Sequence, residues 1–313
     1  MKSNWKNYLA TGAFLAGSFF GHSQNISKTE NKTSFVDSIM TEAKKYPTTT
    51  HFIYEIMKEN DSNFHNADTL EKIIQNVEKQ HEKKEKYSKE ETIEILKTTS
   101  KEIENLGFEY ELNKFDCDDM SFIYLAIGEK FNLHLYCVSA PEHMFIRHDL
   151  DGKHNSLDSN DSVNKGDFNW ETIRGEIAKD DEYYRGRDCI LKRVYLKNLT
   201  KQELIAQAFS NVGQYLCKEG DYNRSIKNYK KSIELNKNNP ESYVNIGFSF
   251  FKKEEYDSAI VNYNVAIKLD TDNFQAYSNR IYAYKCLGKI EKANKDYKKF
   301  NEMFKKVYIS KME

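Results

Sequence analysis

One stretch of the chain carries the residue types needed for covalent acyl chemistry. Cys117 precedes an apolar run containing Met120, Phe122, Ile123, Leu125, Ala126 and Ile127. That run reads as a buried helix over 116–131, which puts the thiol at a helix N-terminus. Unpaired backbone N–H groups and the helix dipole favour a thiolate there. His143 follows Pro141-Glu142 and opens an alternating run to His148, in which His143, Phe145 and Arg147 share one strand face. A general base must come within hydrogen-bond reach of its nucleophile; it need not be near it in sequence. Glu171, or Asn169 on the same face of a further strand, is placed to accept from the second imidazole nitrogen and fix its tautomer. The steps are 26 (143 − 117) and 28 (171 − 143). Against an activated thiol stand Asp116, Asp118 and Asp119, whose charge raises a neighbouring thiol pKa unless they serve the helix start and point away.

The segments Phe115-Asp116-Cys117-Asp118-Asp119-Met120, Pro141-Glu142-His143-Met144-Phe145-Ile146-Arg147 and Phe168-Asn169-Trp170-Glu171-Thr172 resemble the transglutaminase-like cysteine superfamily. The resemblance covers about 108–178 and implies an α+β domain with a papain-like core. The compact order separates it from papain-like proteases, whose His follows the Cys at a far longer interval. It also implies roles: Cys117 as nucleophile, His143 as base, Glu171 as orienting acid. Many members have Asp at the third position, so Glu171 and Asn169 both stay open for it. The implied reaction is acyl transfer on an amide, by transglutamination, deamidation or peptide hydrolysis. The Cys117 thiolate attacks the carbonyl, a thioester forms, and water or an amine resolves it. By family analogy the Cys117 backbone N–H donates to the oxyanion. The superfamily also contains members without activity.

The surrounding pattern is α+β. Helices are expected over 35–46, 51–60, 67–86 and 89–105. The last of these is opened by the capping box Ser88-Lys89-Glu90-Glu91 and ended by Gly107. Leu133 to Ser139, His143 to His148 and Asp167 to Thr172 read as strands. His148 and His154 flank an Asp-rich turn (Asp149, Asp151, Asp158, Asp161) that fits no EF-hand, because Gly152 lacks the required downstream Glu. His51, His65 and His81 are expected on helix surfaces, and Tyr183, Tyr184, Arg185 and Arg187 in a connector.

From about 203 the sequence repeats with a step of 34: Gly213 and Gly247; Ser225, Ala259 and Ala293; Tyr229, Tyr263 and Tyr297; Phe209, Tyr243 and Tyr277. This resembles the tetratricopeptide repeat. Each unit is a helix–turn–helix that cannot bury its apolar face alone and must stack on its neighbours. Three units span about 206–307. In the third, Ile281 replaces the glycine and Arg280 an apolar residue, as expected of a terminal repeat with a polar outer face. Asn211, Asn245 and Asn279 recur at the same step on the first helix of each unit, as candidates for binding a peptide backbone in a groove.

The 313 residues suggest about two domains. With 47 Lys plus Arg against 48 Asp plus Glu, the net charge of −1 gives no footprint for nucleic acid. Only 3 Pro and 13 Gly argue against a turn-rich all-β protein. Residues 1–23 look like an export leader: Lys2 and Lys6, then Tyr8 to Phe20, then Gly21 and Ser23 before a cut at Gln24. Leu15-Ala16-Gly17-Ser18 lacks the Cys of a lipoprotein box. Export, periplasmic or secreted, is therefore expected, with a cytoplasmic location if the leader does not function. Cys117, Cys137, Cys189, Cys217 and Cys286 are odd in number and show no paired zinc spacing. No metal or cofactor is expected.

The expected organisation is a leader at 1–23, a flexible segment at 24–34, a transglutaminase-like domain at 35–190, a connector at 191–205, the all-α repeat solenoid at 206–307 and a tail at 308–313. Two functions follow: an exported cysteine acyltransferase or amidohydrolase with a protein-binding array, or a non-catalytic scaffold whose array binds a protein or peptide partner.

Overall fold

A computed structural model describes residues 34–59, 67–105, 117–140, 143–149, 168–172, 176–177 and 198–309. The leader, His65, Gly107, the Phe115-Asp116 motif, Pro141-Glu142, the Asp-rich turn after Asp149, His154, the Tyr183–Arg187 stretch, Cys189 and the tail from 310 lie outside them. The chain divides into two compact units, Asp37–Ile205 and Met1–Val36 with Ala206–Glu313. Among the described residues no helix is long and apolar enough to cross a membrane.

The first unit begins with α1 (Phe35–Ala43), α2 (Thr49–Lys58), α3 (Ala67–Gln80), α4 (Lys89–Asn105) and α5 (Cys117–Phe131). Several helix ends differ from the sequence expectation, for local reasons. α1 stops at Ala43, after which the chain tightens into turns, the Lys45 N–H donating to the Glu42 carbonyl and the Tyr46 N–H to the Ala43 carbonyl. α2 starts at Thr49 because Thr48 caps it, its hydroxyl accepting from the His51 N–H. Glu129 of α5 completes that cap: the Thr49 N–H and hydroxyl donate to its two carboxylate oxygens at 2.6 and 2.7 Å. α3 ends at Gln80, not 86. The Tyr87 hydroxyl accepts from the Lys84 N–H and donates to the Glu82 carbonyl, closing an irregular loop. The capping box forms as read, with the Ser88 N–H on Glu91 and the Glu91 N–H on the Ser88 hydroxyl. His51 and His81 are not plain surface residues. Both are half-buried, His51 between Thr48 and Glu71 and His81 against Thr98.

Four strands follow: β1 (Leu135–Ala140), β2 (His143–His148), β3 (Phe168–Glu171) and β4 (Glu176–Ile177), paired antiparallel in the order β1-β2-β3-β4. β1 begins two residues later than expected. After α5, Asn132 adopts a left-handed conformation (φ 54°) and the Leu133 N–H bonds back to the Gly128 carbonyl, a helix stop that uses up Leu133 and His134. β4 was not expected; two residues carry no readable alternation.

The remaining helices form three hairpins: α6 (Lys201–Lys218) with α7 (Tyr222–Leu235), α8 (Pro240–Lys252) with α9 (Tyr256–Leu269), and α10 (Phe274–Cys286) with α11 (Ile290–Ile309). α6 extends back to Lys201, into the stretch read as connector. Thr200 and Glu203 form a second capping box that the sequence reading passed over, with N–H···side-chain bonds of 3.0 and 3.2 Å. Asp221, Asn239 and Asn273 cap α7, α8 and α10 through their side chains. The packing explains the repeat's small–aromatic pairs. A Cβ added to Gly213 or Gly247 would overlap the ring of Tyr229 or Tyr263, and the Ser225 hydroxyl donates to the Gly213 carbonyl. Ile226, Val244, Phe250, Ile260 and Ala276 join the hairpins in one apolar cluster.

Arg280 is not a solvated outer residue, contrary to expectation. Its Nε and Nη2 donate to the two carboxylate oxygens of Asp296, both at 2.7 Å, and its Nη1 donates to Asn264 at 2.6 Å. The guanidinium also lies over Tyr277 and Tyr284. An apolar position has been replaced by a half-buried, fully engaged ion pair.

Candidate functional site

Two places carry the residues singled out in the sequence. The first is the α5–sheet layer. Cys117 is the first residue of α5, His143 the first of β2, and Asn169 and Glu171 lie in β3. α5 packs on β1 and β2. Its contacts identify which sheet face it covers: Cys137 Sγ is 3.8 Å from the Ser121 carbonyl oxygen, Tyr124 stacks edge-on against Trp170, and Ser121 Oγ is 3.5 Å from Thr172 Oγ1. Cys137 pairs with Ile146 and Ile146 with Trp170, so this face is set by register. Position 143 pairs with Ala140 and has the strand parity of Phe145 and Arg147, whose register neighbours are Val138, Tyr136 and Asn169. The side chains of Cys117, His143 and Glu171 lie outside what the structure describes.

Asn169 has a defined role: its Oδ1 accepts from Arg147 Nε at 3.0 Å. Arg147 is buried, and Asn198 donates to the buried Asp149 at 2.6 Å. Asn169 thus belongs to a polar network on the sheet. Cys137, buried in the same layer, has its thiol pKa pushed well up, first by burial and then by the charges of Asp118 and Glu129.

The second place is the row of first helices, α6, α8 and α10. Asn211, Asn245 and Asn279 occupy equivalent positions on them, and the 34-residue step puts all three on the same helical face. Gln207 donates to the Asn211 Oδ1 at 3.0 Å, and Asn211 and Asn279 are half-buried. Asn245 is buried, not exposed, and its Oδ1 has no hydrogen-bond partner. An amide oxygen in that state costs about 1–3 kcal/mol relative to a satisfied one.

The sequence reading missed the aromatic residues beside the asparagines. Phe248 and Tyr282 are themselves one step apart (282 − 248 = 34), and each carries a lysine over its ring: Lys252 at 5.3 Å and Lys285 at 5.7 Å. Phe248 packs on the cluster of Cys217, Tyr229 and Ile246, whereas Tyr282 is exposed. The readable signal was the step itself, extended from the asparagines to the residues three positions on. The face therefore combines amide groups, aromatic surface and positive charge.

A family profile described as TPR repeat matches residues 213–254 and 249–288. No curated protein matches the sequence. Among solved structures, the first TPR domain of human RPAP3 is 30% identical over 31% of this chain and 77% of its own, with a TM-score of 0.31. The first TPR of Spaghetti (RPAP3), solved bound to the HSP90 peptide SRMEEVD, is 30% identical over 31% of this chain and 80% of its own, also at 0.31. The Arabidopsis OM64 TPR domain is 21% identical over 36% and 92%, at 0.33. With the two matched segments falling on the observed 34-residue hairpin step, the C-terminal part of the chain is a solenoid of tetratricopeptide repeats.

Proposed function

We propose that the protein is a binding scaffold whose repeat array takes an extended peptide of a partner protein along the face bearing Asn211, Asn245 and Asn279. One observation carries this reading: three asparagines at the 34-residue step hold equivalent positions on the first helices of the hairpins, with the half-buried Asn211 and Asn279 on either side of the buried Asn245. A ladder of amides at a fixed step suits a backbone ligand of unspecified sequence. Phe248 and Tyr282 supply apolar contact, and Lys252 and Lys285 favour acidic side chains on the peptide. Selection of binders from a random peptide library on the full chain tests this. Enriched peptides should bind the wild type and lose about tenfold in affinity to Asn279→Ala, roughly the worth of one hydrogen bond. Peptides that bind both proteins equally would rule the face out.

A second reading, a cysteine acyl-transfer site of transglutaminase-like type at Cys117, is supported by the start of α5 at Cys117, the packing of α5 on an antiparallel sheet, and the strand that opens at His143. In that reading Glu171 takes the orienting role, since Asn169 is engaged by Arg147. Register bears against it, because position 143 has the strand parity of Phe145 and Arg147 and not that of Ile146, which lies on the face α5 covers. Alkylation near neutral pH discriminates: a thiol that reacts fast in the wild type and is lost in Cys117→Ala favours catalysis. Equal labelling of the two proteins leaves the domain a packing module. Export through residues 1–23 is part of both readings and rests on the leader pattern.

A further inference from the structure

The last helix leaves open a face that the earlier hairpins bury. Tyr229, Tyr263 and Tyr297 are equivalent residues (263 − 229 = 34; 297 − 263 = 34). Their exposures are 0%, 0% and 55%. In the first two hairpins the ring fills the space over Gly213 or Gly247 and is covered by the next hairpin, through Ile246 in one case and Ala276 and Ala283 in the other. In the third, Ile281 stands at the glycine position and is itself buried, and no hairpin follows among the described residues. Tyr297 is left on the surface in line with Ile290, 53% exposed, and Phe304, 46% exposed. These three are seven residues apart, which is two helical turns, so they form one seam along α11.

The seam is interrupted by Asn294 and Asn301. They replace isoleucines at the repeat step, Ile226 and Ile260 in the first case and Ile233 and Ile267 in the second. The resulting order is Ile290, Asn294, Tyr297, Asn301, Phe304: apolar, amide, apolar, amide, apolar. In kind it reads the same in both directions about Tyr297, with Asn294 three residues before it (297 − 294) and Asn301 four after (301 − 297).

We propose that α11 pairs antiparallel with α11 of a second copy of this chain, across a two-fold axis at Tyr297. The palindromic order is what an isologous interface requires, since each residue must meet the complement of its own mirror position. Ile290 then faces Phe304 of the second copy, Tyr297 faces Tyr297, and Asn294 faces Asn301. Facing amides satisfy each other and fix the register, as a polar residue does within a coiled-coil seam. The flanks agree at the ends, where Glu291 of each copy comes beside Lys305 of the other. Lys298 meets its own counterpart near the axis, the one unfavourable contact. This face lies on α11, outside the asparagine row, so the inference does not depend on the peptide-binding reading.

Sedimentation equilibrium of the full chain tests it. The wild type is expected to move from monomer to dimer across the micromolar range. Tyr297→Glu should remain monomeric throughout with an unchanged circular dichroism spectrum. Glu291→Lys and Lys305→Glu should each weaken association several-fold, the double variant should recover it, and Lys298→Gln should tighten it. A wild type that stays monomeric overturns the proposal. So does a dimer that survives Tyr297→Glu, or one whose two charge variants fail to rescue each other.

Discussion

The ring of Tyr263 occupies the space that a side chain on Gly247 would need. The ring is fully buried and cannot swing into solvent, so even one added methyl group forces the two helices of the hairpin apart. Gly247→Ala is expected to destabilise the array by about 2 kcal/mol, in the range for overpacking a dense core. Urea unfolding of wild type, Gly247→Ala, Tyr263→Leu and the double variant checks it. The double variant should lose less than the sum of the single variants, because the smaller side chain frees the space the methyl group needs.

Asp296 accepts from Arg280 through both carboxylate oxygens, and both groups are largely withdrawn from water. Asp296→Ala leaves a half-buried cation without its counter-charge and is expected to cost about 3 kcal/mol. Replacing both residues, as Arg280→Met with Asp296→Leu, should recover most of that loss. Equal destabilisation by the single and double variants would show that packing, not charge, is what α11 loses.

Thiol reactivity should rank by burial. Burial pushes the Cys217 thiol up to about 12, partly offset by Ser249 and Lys252, and pushes Cys137 up as well. Cys286 is exposed. Near neutral pH Cys286 is expected to alkylate first, with Cys137 and Cys217 reacting only on unfolding. Peptide mapping of a time course with Cys286→Ser measures the order. A fast thiol remaining in that variant and mapping to Cys117 would move the balance toward the acyl-transfer reading.

His51 gives the first unit a pH dependence. Burial lowers its pKa, opposed by the hydrogen bond and charge of Glu71. The unfolded chain then binds the proton more readily than the folded one, so stability rises with pH through this window. It is lost as pH falls below the unfolded value near 6.5. The melting temperature of the wild type should therefore drop between about pH 7.5 and 5.5, and His51→Gln should show a flatter profile. Parallel profiles would assign the dependence to other groups.

Much of the array was legible from sequence because its constraint is periodic. Gly213 with Tyr229 and Gly247 with Tyr263 are local consequences of one packing rule, repeated at a fixed step. Capping at Ser88 was equally readable, since both partners lie within one turn. Arg280 was misjudged because its partner Asp296 sits on the opposing helix and breaks no visible period. The exposure of Tyr297 is hidden from the sequence, because the tyrosine is kept at the repeat step while only its partner position changes, from Gly213 and Gly247 to Ile281. In the first unit, Cys117, His143 and Asn169 were chosen by order and spacing. Strand register then gave Asn169 to Arg147, a pairing that sequence separation does not encode.

Hydrogen exchange of the full chain, with and without a selected peptide, tests the scaffold account most directly. Binding along the asparagine face predicts new protection in α6, α8 and α10, strongest around Asn245, with the exchange of α5 and the sheet unchanged. Protection confined to 117–177, with the three first helices unaffected, would contradict it.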